Sequence, residues 1–519
     1  MLYKKQVRSL LGILAVCSLL ILNACQDHRS APDPASLTDA TVYALTNANQ
    51  LVRVNLKTLS APAVTIPISF TAGTPMDERI LAIDFRPATG QLYGVSNMSR
   101  MFVINPMTGA ARALGTMAFT PAISGTMVGL DFNPTVDRIR LVTNAGQDLR
   151  LNPETGGVAA VDGTINGVSG AMITEVAYTN NKAGATATTL YDIDPATDRL
   201  YIQNPPNNGT LTDVGPLGLD ITGAAGFDIS PSDNTQGLVA VMFNGASELD
   251  QINLSTGRLQ KLGNLPGTII GLAIPTEPVA YAIEGASNLL VFNPMSPTPV
   301  SKTIAGLQPS ETLVGIDTRP VNGQLFALGS SSRLYSIAVT ATASWSAVAV
   351  GSAGAFGLVG TDFGFDFNPT VDRIRVVSNT GQNLRLNPDN GDLAATDGVL
   401  SFSGVSGTPN VSAAAYTNNF AGATTTTLYD IDVRTGSAVL FSQVPPNSGT
   451  LNTVGPLGVD IESTNGFDIG GTTGTAYALL RSGGSTKVYS VNLMTGAATA
   501  GATLPGNPTV RGFTLGLGF

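Results

Sequence analysis

Short apolar segments separated by turn residues run through most of the chain. From residue 42 onward, stretches rich in Val, Ile, Leu and Phe alternate with clusters of Gly, Pro, Asn and Asp. Short runs of this kind are typical of β-strands, and the separating residues are those that tight turns require. The pattern therefore predicts an all-β protein.

Residues 80–116 show the repeating unit most clearly. Four strand-like segments, ILAIDF, QLYGVS, RMFVIN and AARALGT, are joined by turns such as Pro-Met-Thr-Gly. Four antiparallel strands in about 40 residues are the size of one β-propeller blade. Five such units fit each half of the chain, beginning near residues 42, 80, 127, 173 and 225, and near 269, 312, 362, 411 and 465.

The second half of the chain repeats the first. NPTVDRIRLVTNAGQDLRLNP at 133–153 returns as NPTVDRIRVVSNTGQNLRLNP at 368–388, and only four of the 21 positions differ. The blocks at 177–194 and 205–221 return at 415–432 and 445–461. We therefore divide the chain into a signal peptide (1–24), a flexible tether (25–40) and two propeller repeats (41–275 and 279–519).

The strand that closes the first repeat decides the architecture. The first unit opens at its second strand, VYALT (42–46), and its inner strand must be either GLAIP (271–275) or GFTLGLGF (512–519). If GLAIP pairs back with VYALT, the chain forms two tandem five-bladed rings. If GLAIP pairs forward with VAYAI (279–283), GFTLGLGF closes one ten-bladed ring. We expect two rings, because propellers usually have four to eight blades, and we keep one ring as the alternative.

Several of these blocks resemble a known bacterial family. They are VGLDFNPTVDRIRLV (128–142), LRLNPETG (149–156), AYTNN…TTLYDID (177–194) and GFDI (226–229), each with its second copy. Together they are similar to the family called domain of unknown function 4394, in two tandem copies that cover nearly the whole chain after the tether. The resemblance implies no activity, substrate or catalytic residue.

The N-terminus predicts export and lipid anchoring. Basic residues precede an apolar run at 10–22, which is too short to span a membrane and is followed by Leu-Asn-Ala-Cys. This ending resembles a bacterial lipobox, which implies cleavage before Cys25 and acylation of that residue. We expect an outer-membrane lipoprotein of the bacterial cell envelope, either periplasmic or surface-exposed, whose partner is the membrane.

Composition excludes several kinds of chemistry. Both cysteines, Cys17 and Cys25, and the only histidine, His28, lie in the N-terminal segment. Ser–His and Cys–His catalysis and His- or Cys-ligated zinc are therefore excluded for the repeats. The net charge is −9, so a nucleic-acid partner is not expected. We also expect no cofactor.

Acidic residues recur on the predicted innermost strands. Aspartates occupy equivalent positions in most units, and Glu175 stands where the second half has Ala413. Carboxylates that line a channel suit glycoside hydrolysis, which makes Glu175, Asp131 and Asp84 weak catalytic candidates. Repetition at equivalent positions favours a structural role instead, in which each Asp accepts a hydrogen bond from a neighbouring blade's N–H or from an arginine.

Three further features suggest possible sites. Arginines alternate on one hairpin in each half and could bind an anion, with pairing to the inner-strand aspartates as the favoured interpretation; the binding candidates are Arg138, Arg140, Arg150, Arg373, Arg375 and Arg385. Asp192, Asp194 and Asp198 loosely resemble a calcium loop, with turn formation as the simpler interpretation. The segment at 179–188 is longer than other turns and is a candidate binding surface.

These patterns favour a binding or scaffold protein over an enzyme. The expected protein is a lipid-anchored β-propeller of the cell envelope whose ligand is an unknown protein or glycan. The alternative is a glycan-directed hydrolase that uses carboxylates lining the central channel.

Overall fold

A computed structural model describes residues 37–340, 344–404, 406–434, 437–462 and 465–519. The predicted signal peptide, Cys25 and most of the tether lie outside these residues. The described chain is almost entirely strand, with short 3-10 helices at Leu56–Thr58, Pro206–Asn208 and Pro446–Ser448. The all-β, propeller-like fold expected from the sequence is confirmed.

The first half contains twenty-one strands among the described residues, arranged as sheets of four or five strands. In chain order they are β1 (Thr41–Thr46), β2 (Gln50–Asn55), β3 (Val64–Pro67), β4 (Ser69–Phe70), β5 (Ile80–Phe85), β6 (Leu92–Ser96), β7 (Met101–Ile104), β8 (Ala110–Leu114), β9 (Val128–Asn133), β10 (Arg138–Thr143), β11 (Asp148–Leu151), β12 (Val158–Val161), β13 (Glu175–Tyr178), β14 (Leu190–Asp194), β15 (Arg199–Gln203), β16 (Leu211–Pro216), β17 (Gly223–Asp228), β18 (Gln236–Phe243), β19 (Ala246–Asn253), β20 (Leu259–Asn264) and β21 (Ile269–Ala273). These strands pair antiparallel, apart from the parallel pair of β4 and β8.

The second half repeats this arrangement, apart from the way in which two of its sheets are joined. In chain order its described strands are β22 (Ala280–Glu284), β23 (Asn288–Phe292), β24 (Val300–Ala305), β25 (Leu313–Thr318), β26 (Leu325–Gly329), β27 (Arg333–Ala338), β28 (Ser344–Val350), β29 (Phe363–Asn368), β30 (Arg373–Ser378), β31 (Asn383–Leu386), β32 (Leu393–Thr396), β33 (Ser401–Phe402), β34 (Val411–Tyr416), β35 (Leu428–Arg434), β36 (Ser437–Gln443), β37 (Thr450–Pro456), β38 (Gly466–Ile469), β39 (Ala476–Ser482), β40 (Ser485–Val491), β41 (Ala498–Thr503) and β42 (Val510–Leu515). Parallel pairing of β24 with β28 joins two four-stranded sheets into one of eight strands.

Each half ends with a strand that pairs with the strand at its own beginning. β21 pairs antiparallel with β1, placing Tyr43 opposite Ala273. β42 pairs in the same way with β22, placing Tyr281 opposite Thr514. GLAIP therefore pairs back with VYALT and not forward with VAYAI.

In each half, five strands at the edges of the sheets, which we call the innermost strands, contact one another in turn. In the first half these contacts follow the cyclic order β21, β5, β9, β13, β17 and back to β21. In the second half they follow the order β42, β25, β29, β34, β38 and back to β42. These strands surround the centre of each half, and their side chains form the central clusters described below.

Apolar side chains fill the layers between neighbouring sheets. Tyr93 on β6 and Phe132 on β9 meet edge to face, with ring centroids 5.2 Å apart. Phe326 and Phe367 repeat this contact in the second half at 5.4 Å. Such contacts between sheets bury the apolar face that a single four-stranded sheet would leave exposed.

The turns use the residues that the sequence analysis singled out. In the β7–β8 turn, the side-chain oxygen of Asn105 accepts hydrogen bonds from the N–H groups of Met107 and Thr108. Gly109 then takes a positive φ of 74°, a conformation that costs glycine little. This turn chemistry makes the strand boundaries readable from the sequence.

The two halves contact each other directly. The hydroxyl of Tyr281 donates to the carbonyl oxygen of Ala88 at 2.7 Å, and the N–H of Gly518 donates to the carbonyl oxygen of Thr89 at 2.8 Å. Within the described residues, no helix combines the length and the apolar character that crossing a membrane requires.

Candidate functional site

Three aspartates from the innermost strands of three different sheets meet at the centre of each half. In each group, one carboxylate oxygen per residue lies within 4.8 Å of the others, and every member is buried. We call Asp84, Asp131 and Asp228 the first triad, and Asp317, Asp366 and Asp468 the second triad. The recurrence seen in the sequence thus corresponds to two compact carboxylate clusters.

Backbone N–H groups of the neighbouring sheets bind most of these carboxylates. Asp84 accepts a hydrogen bond from the Phe132 N–H at 2.8 Å, and Asp228 accepts one from the Ile274 N–H at 2.6 Å. The second triad repeats the pattern with the N–H groups of Phe367, Tyr416 and Leu515. The structure therefore contains the contact between neighbouring blades that a structural role for these residues implies.

Burial makes these carboxyl groups hard to ionise. Burial, and then the nearby charge of Asp228, raises the pKa of Asp84 well above its ordinary value. Burial raises the pKa of Asp228 to about 7, although two backbone N–H bonds oppose the shift. Burial raises the pKa of Asp468 to about 7 in the same way.

Glu175 does not join the first triad. Its side chain is buried on β13, where burial raises its pKa well above the ordinary value and a hydrogen bond from the Gly226 N–H opposes that shift. Asp84 and Asp131 do lie together, but both are enclosed. A glycosidase needs a carboxyl pair that flanks a bound sugar. The three catalytic candidates do not present such a pair to solvent.

The arginine candidates form structural ion pairs, but with other aspartates than the sequence analysis named. Arg140 lies opposite Asp131 across the β9–β10 pair, yet its guanidinium contacts Asp148 at 2.5 Å and Asp162 at 2.6 Å. Arg150 forms two bonds to Asp162, at 2.7 and 2.9 Å. The expected pairing with inner-strand aspartates is therefore wrong. The carboxylates on β11 and just after β12 are nearer the guanidinium groups.

The Arg140 network also joins neighbouring sheets. The Arg140 guanidinium donates to the Asn207 side chain at 2.8 Å and to the Tyr178 hydroxyl at 3.3 Å, and both partners belong to the β13–β16 region. These contacts fully engage Arg140 within the protein. It is therefore not free to bind an external anion.

The second half repeats this network with one change. Arg375 bonds Asp397 at 2.6 Å and Arg385 forms two bonds to the same carboxylate, but Asn383 replaces Asp148 and accepts from Arg375 at 2.7 Å. The two remaining candidates, Arg138 and Arg373, each donate at 2.8 Å to the carbonyl oxygen of the preceding aspartate. Among the described residues, neither has an ion-pair partner within 4 Å.

The loose calcium-loop resemblance is explained by turn formation. Asp194 accepts hydrogen bonds from the Ala196 N–H and the Thr197 hydroxyl, and Asp198 accepts one from the Ile221 N–H at 3.0 Å. Asp192 is buried on β14. Among the described residues, these three aspartates do not form a group of carboxylates within reach of one cation.

The long segment at 179–188 packs against the other half. Ala183 packs on the apolar cluster of β22–β28, and a side chain at Gly184 would lie 3.5 Å from Val291. The segment is therefore a contact between the halves in place of a freely projecting loop. The corresponding segment of the second half contributes Phe420, which is 45% exposed, to a larger cavity.

That larger cavity is a groove between the two halves with a volume of about 800 Å³. Aromatic side chains from both halves line it, together with the connecting residues Pro275 and Pro278; the aromatic residues are Tyr43, Phe70, Phe85, Phe420 and Phe519. We call this cavity the inter-repeat groove. Its volume lies within the range of small-molecule sites, which are usually largely apolar with a few polar groups.

Arg112 supplies the positive charge in the inter-repeat groove. Its guanidinium donates to the carbonyl oxygens of Ala113 at 3.3 Å and Val321 at 2.8 Å. Among the described residues, no carboxylate lies within ion-pair distance of Arg112. Burial lowers the pKa of Arg112, and the nearby Tyr93 opposes that shift. The importance of Arg112 could not be predicted from the sequence, because nothing in the pattern indicates which arginine lacks a carboxylate.

Both halves of the chain match the model of one known protein family. The profile described as "Domain of unknown function (DUF4394)" matches residues 50–273 and again residues 288–514. The chain belongs to the DUF4394 family. The resemblance seen in the sequence is thereby confirmed, with two tandem DUF4394 regions that coincide with the two halves of the fold.

Comparisons outside the DUF4394 family add little. No curated protein matches the chain in sequence. PorZ of Porphyromonas gingivalis, described as a bacterial surface component of the type-IX secretion system, is similar over 90% of this chain and 58% of its own, at 13% identity and a TM-score of 0.26. A Lactobacillus plantarum protein is similar over 66% of this chain and 98% of its own, at 14% identity and a TM-score of 0.26.

An extracellular domain of a putative two-component system of B. thetaiotaomicron gives a similar result. It covers 91% of this chain and 67% of its own length, at 12% identity and a TM-score of 0.26. These scores are too low to support an argument about function.

Proposed function

We propose that this protein is a lipid-anchored, non-catalytic binding protein of the bacterial cell envelope, built from two five-bladed rings. The pairing of each closing strand with the first strand of its own half supports two rings. In each half, five innermost strands contact one another in a closed cycle, which supports five blades per ring. The enclosed position of the candidate acids supports binding in place of hydrolysis.

The lipid anchor rests on the N-terminal sequence. Leu-Asn-Ala-Cys after a short apolar run provides the acylation residue, Cys25, and two or more acyl chains are needed for stable anchoring. In a bacterial host, the wild-type chain is expected to incorporate labelled palmitate and to partition into detergent. A Cys25→Ser variant should lose both properties, and equal labelling of the two chains would contradict the anchor.

The single observation that carries the binding role is the inter-repeat groove with Arg112. The groove combines about 800 Å³ of space with aromatic walls and one cation that has no carboxylate partner. A half-buried positive charge without a counter-ion is partly desolvated, and an anionic ligand would offset that cost through charge-assisted hydrogen bonds. We infer a ligand with an apolar or aromatic body and one anionic group, which is narrower than the protein or glycan expected from the sequence.

Two fluorescent probes test this ligand class. 1-Anilinonaphthalene-8-sulfonate carries an aromatic body and an anionic group, whereas N-phenyl-1-naphthylamine has a similar body without the charge. Arg112→Met is expected to weaken sulfonate binding about tenfold, since one charge-assisted bond contributes about 1.5–3 kcal/mol. Binding of the neutral probe should change little.

Matched variants locate the probes. Phe420→Ala should weaken both probes, because it removes an aromatic wall of the groove. Arg138→Met removes an arginine outside the groove and should change neither affinity. If Arg112→Met and Phe420→Ala both leave the two affinities unchanged, the groove is not the binding site and the proposal is wrong.

A further inference from the structure

The two triads have different sets of hydrogen-bond donors. In the second triad, the Thr514 hydroxyl lies 2.8 Å from Asp317 and 3.1 Å from Asp468. The Tyr416 N–H donates to Asp366 at 3.0 Å. A hydroxyl and backbone N–H groups therefore supply this centre with hydrogen atoms from several directions.

The first triad lacks the hydroxyl. Tyr43 pairs with Ala273 at the position where Tyr281 pairs with Thr514, so Ala273 is the counterpart of the threonine. A methyl group cannot donate a hydrogen bond. The centre of the first half is therefore poorer in donors than the centre of the second half.

A second difference concerns Asp131, whose counterpart Asp366 accepts the Tyr416 N–H and not the Thr514 hydroxyl. The Asp131 side chain is 0% exposed, and neither of its oxygens has a hydrogen-bond partner among the described residues. The Tyr178 N–H is near enough to lower the pKa of Asp131 but does not reach hydrogen-bond geometry. One of the Asp131 oxygens points into the cluster, within 4.8 Å of oxygens from Asp84 and Asp228.

Among the described residues, no side-chain cation forms an ion pair with these carboxylates. The ion pairs of the described residues involve other acids, and the nearby Arg140 is held by Asp148 and Asp162. Buried polar groups without partners are costly, and buried charges are normally paired or bound to metal ions. The first triad therefore combines excess acceptor oxygens with a shortage of donors.

We propose that the first triad binds a calcium ion at the centre of the first half. Calcium takes oxygen ligands at about 2.3–2.6 Å in flexible geometry. Three carboxylate oxygens that lie within 4.8 Å of one another can all reach one ion at this ligand distance. Asp131 faces the ion with oxygens that no N–H group occupies. Asp84 and Asp228 keep their backbone bonds and contribute their remaining lone pairs. In the second triad, the Tyr416 N–H occupies Asp366 and the Thr514 hydroxyl lies between Asp317 and Asp468, so that centre has donors in place of an ion.

Metal content measured on the full chain tests the proposal. The protein is unfolded with chelator and refolded in calcium or in chelator, since the site is enclosed and fills as the chain folds. After gel filtration, one calcium ion per chain is expected, together with a melting temperature several degrees higher than in chelator. Asp131→Asn should lose the ion, whereas Asp366→Asn in the second triad should retain it.

The exchange of Ala273 and Thr514 gives a matched pair of variants. Ala273→Thr places a hydroxyl beside Asp84 and Asp228, as Thr514 lies beside Asp317 and Asp468, and is expected to weaken calcium binding. Thr514→Ala removes the hydroxyl but leaves the Tyr416 N–H on Asp366, so the content should stay at one ion per chain. The proposal would be overturned if the wild-type chain refolds without bound calcium and has the same melting temperature in calcium and in chelator. The carboxyl groups of the triad would then be neutralised by protons instead of by an ion. Retention of the ion by Asp131→Asn would also overturn the proposal.

Discussion

Replacing Arg140 with methionine is expected to lower the free energy of unfolding by about 3–5 kcal/mol. The substitution keeps an unbranched side chain but leaves the buried Asp148 without its cation, while Asp162 retains Arg150. It also removes the bonds to Asn207 and Tyr178 that join two sheets. Urea unfolding monitored by circular dichroism measures the effect.

The cost of Arg140→Met should depend on pH. Burial raises the pKa of Asp148 to about 6 even with the Arg140 guanidinium opposing the shift, and without Arg140 it rises further. A raised carboxyl pKa contributes stability that is present below the unfolded value near 3.8 and is lost as pH rises through the folded value. The loss should therefore be larger at pH 8 than at pH 5, where Asp148 is protonated.

Three comparisons distinguish the loss of this ion pair from a non-specific loss of stability. Arg138→Met, on the same strand, should change stability by less than about 0.5 kcal/mol, because that side chain makes one bond to a backbone carbonyl. Arg375→Met should cost less than Arg140→Met, since neutral Asn383 stands in place of Asp148. Asp148→Asn should recover part of the loss in the double variant. Equal costs for Arg138→Met and Arg140→Met would refute the argument.

Trp345→Ala is expected to lower the free energy of unfolding by about 3–5 kcal/mol. Trp345 is 1% exposed, its ring centroid lies 6.1 Å from that of Tyr281, and the Lys302 ammonium lies 6.0 Å above it. Removal of the indole leaves a cavity beside Ala183 and Gly184 of the first half. The contact between the halves should weaken together with the core of the second half.

The measurement must avoid tryptophan fluorescence, because Trp345 is the only tryptophan in the chain. Circular dichroism during urea unfolding serves instead. Val348→Ala on the same strand is the control; Val348 is 57% exposed, so its truncation should change stability by less than about 0.5 kcal/mol. A loss of less than 1 kcal/mol for Trp345→Ala would show that the layer repacks without the indole.

The sequence predicted the fold class because local signals repeat along the chain. Strand length, Asn and Gly turns and the internal duplication are all readable without tertiary contacts. The closing strand could not be identified in the same way. GLAIP and GFTLGLGF have similar composition, and the choice between them depends on pairing with residues more than 200 positions away, as in the register of Ala273 with Tyr43.

The site was less predictable than the fold. Hydrogen bonds from neighbouring backbone N–H groups to inner-strand aspartates follow from their repetition, and the structure contains them. The partners of Arg140 depend on where β11 and the segment after β12 bring Asp148 and Asp162. The importance of Arg112 and Asp131 lies in missing partners, which only the folded structure reveals. The segment at 179–188 was misjudged because sequence length does not show what a loop packs against.

The positions of β21 and β42 also bear on the order of folding during synthesis. β21 leaves the ribosome just before the second half begins, so every strand that pairs within the first half is present before β22 is made. A nascent chain can therefore complete its first half while the second is still being translated. For the same reason, a backbone cut between Pro275 and Pro278 would leave both terminal pairings, β1 with β21 and β22 with β42, inside single fragments.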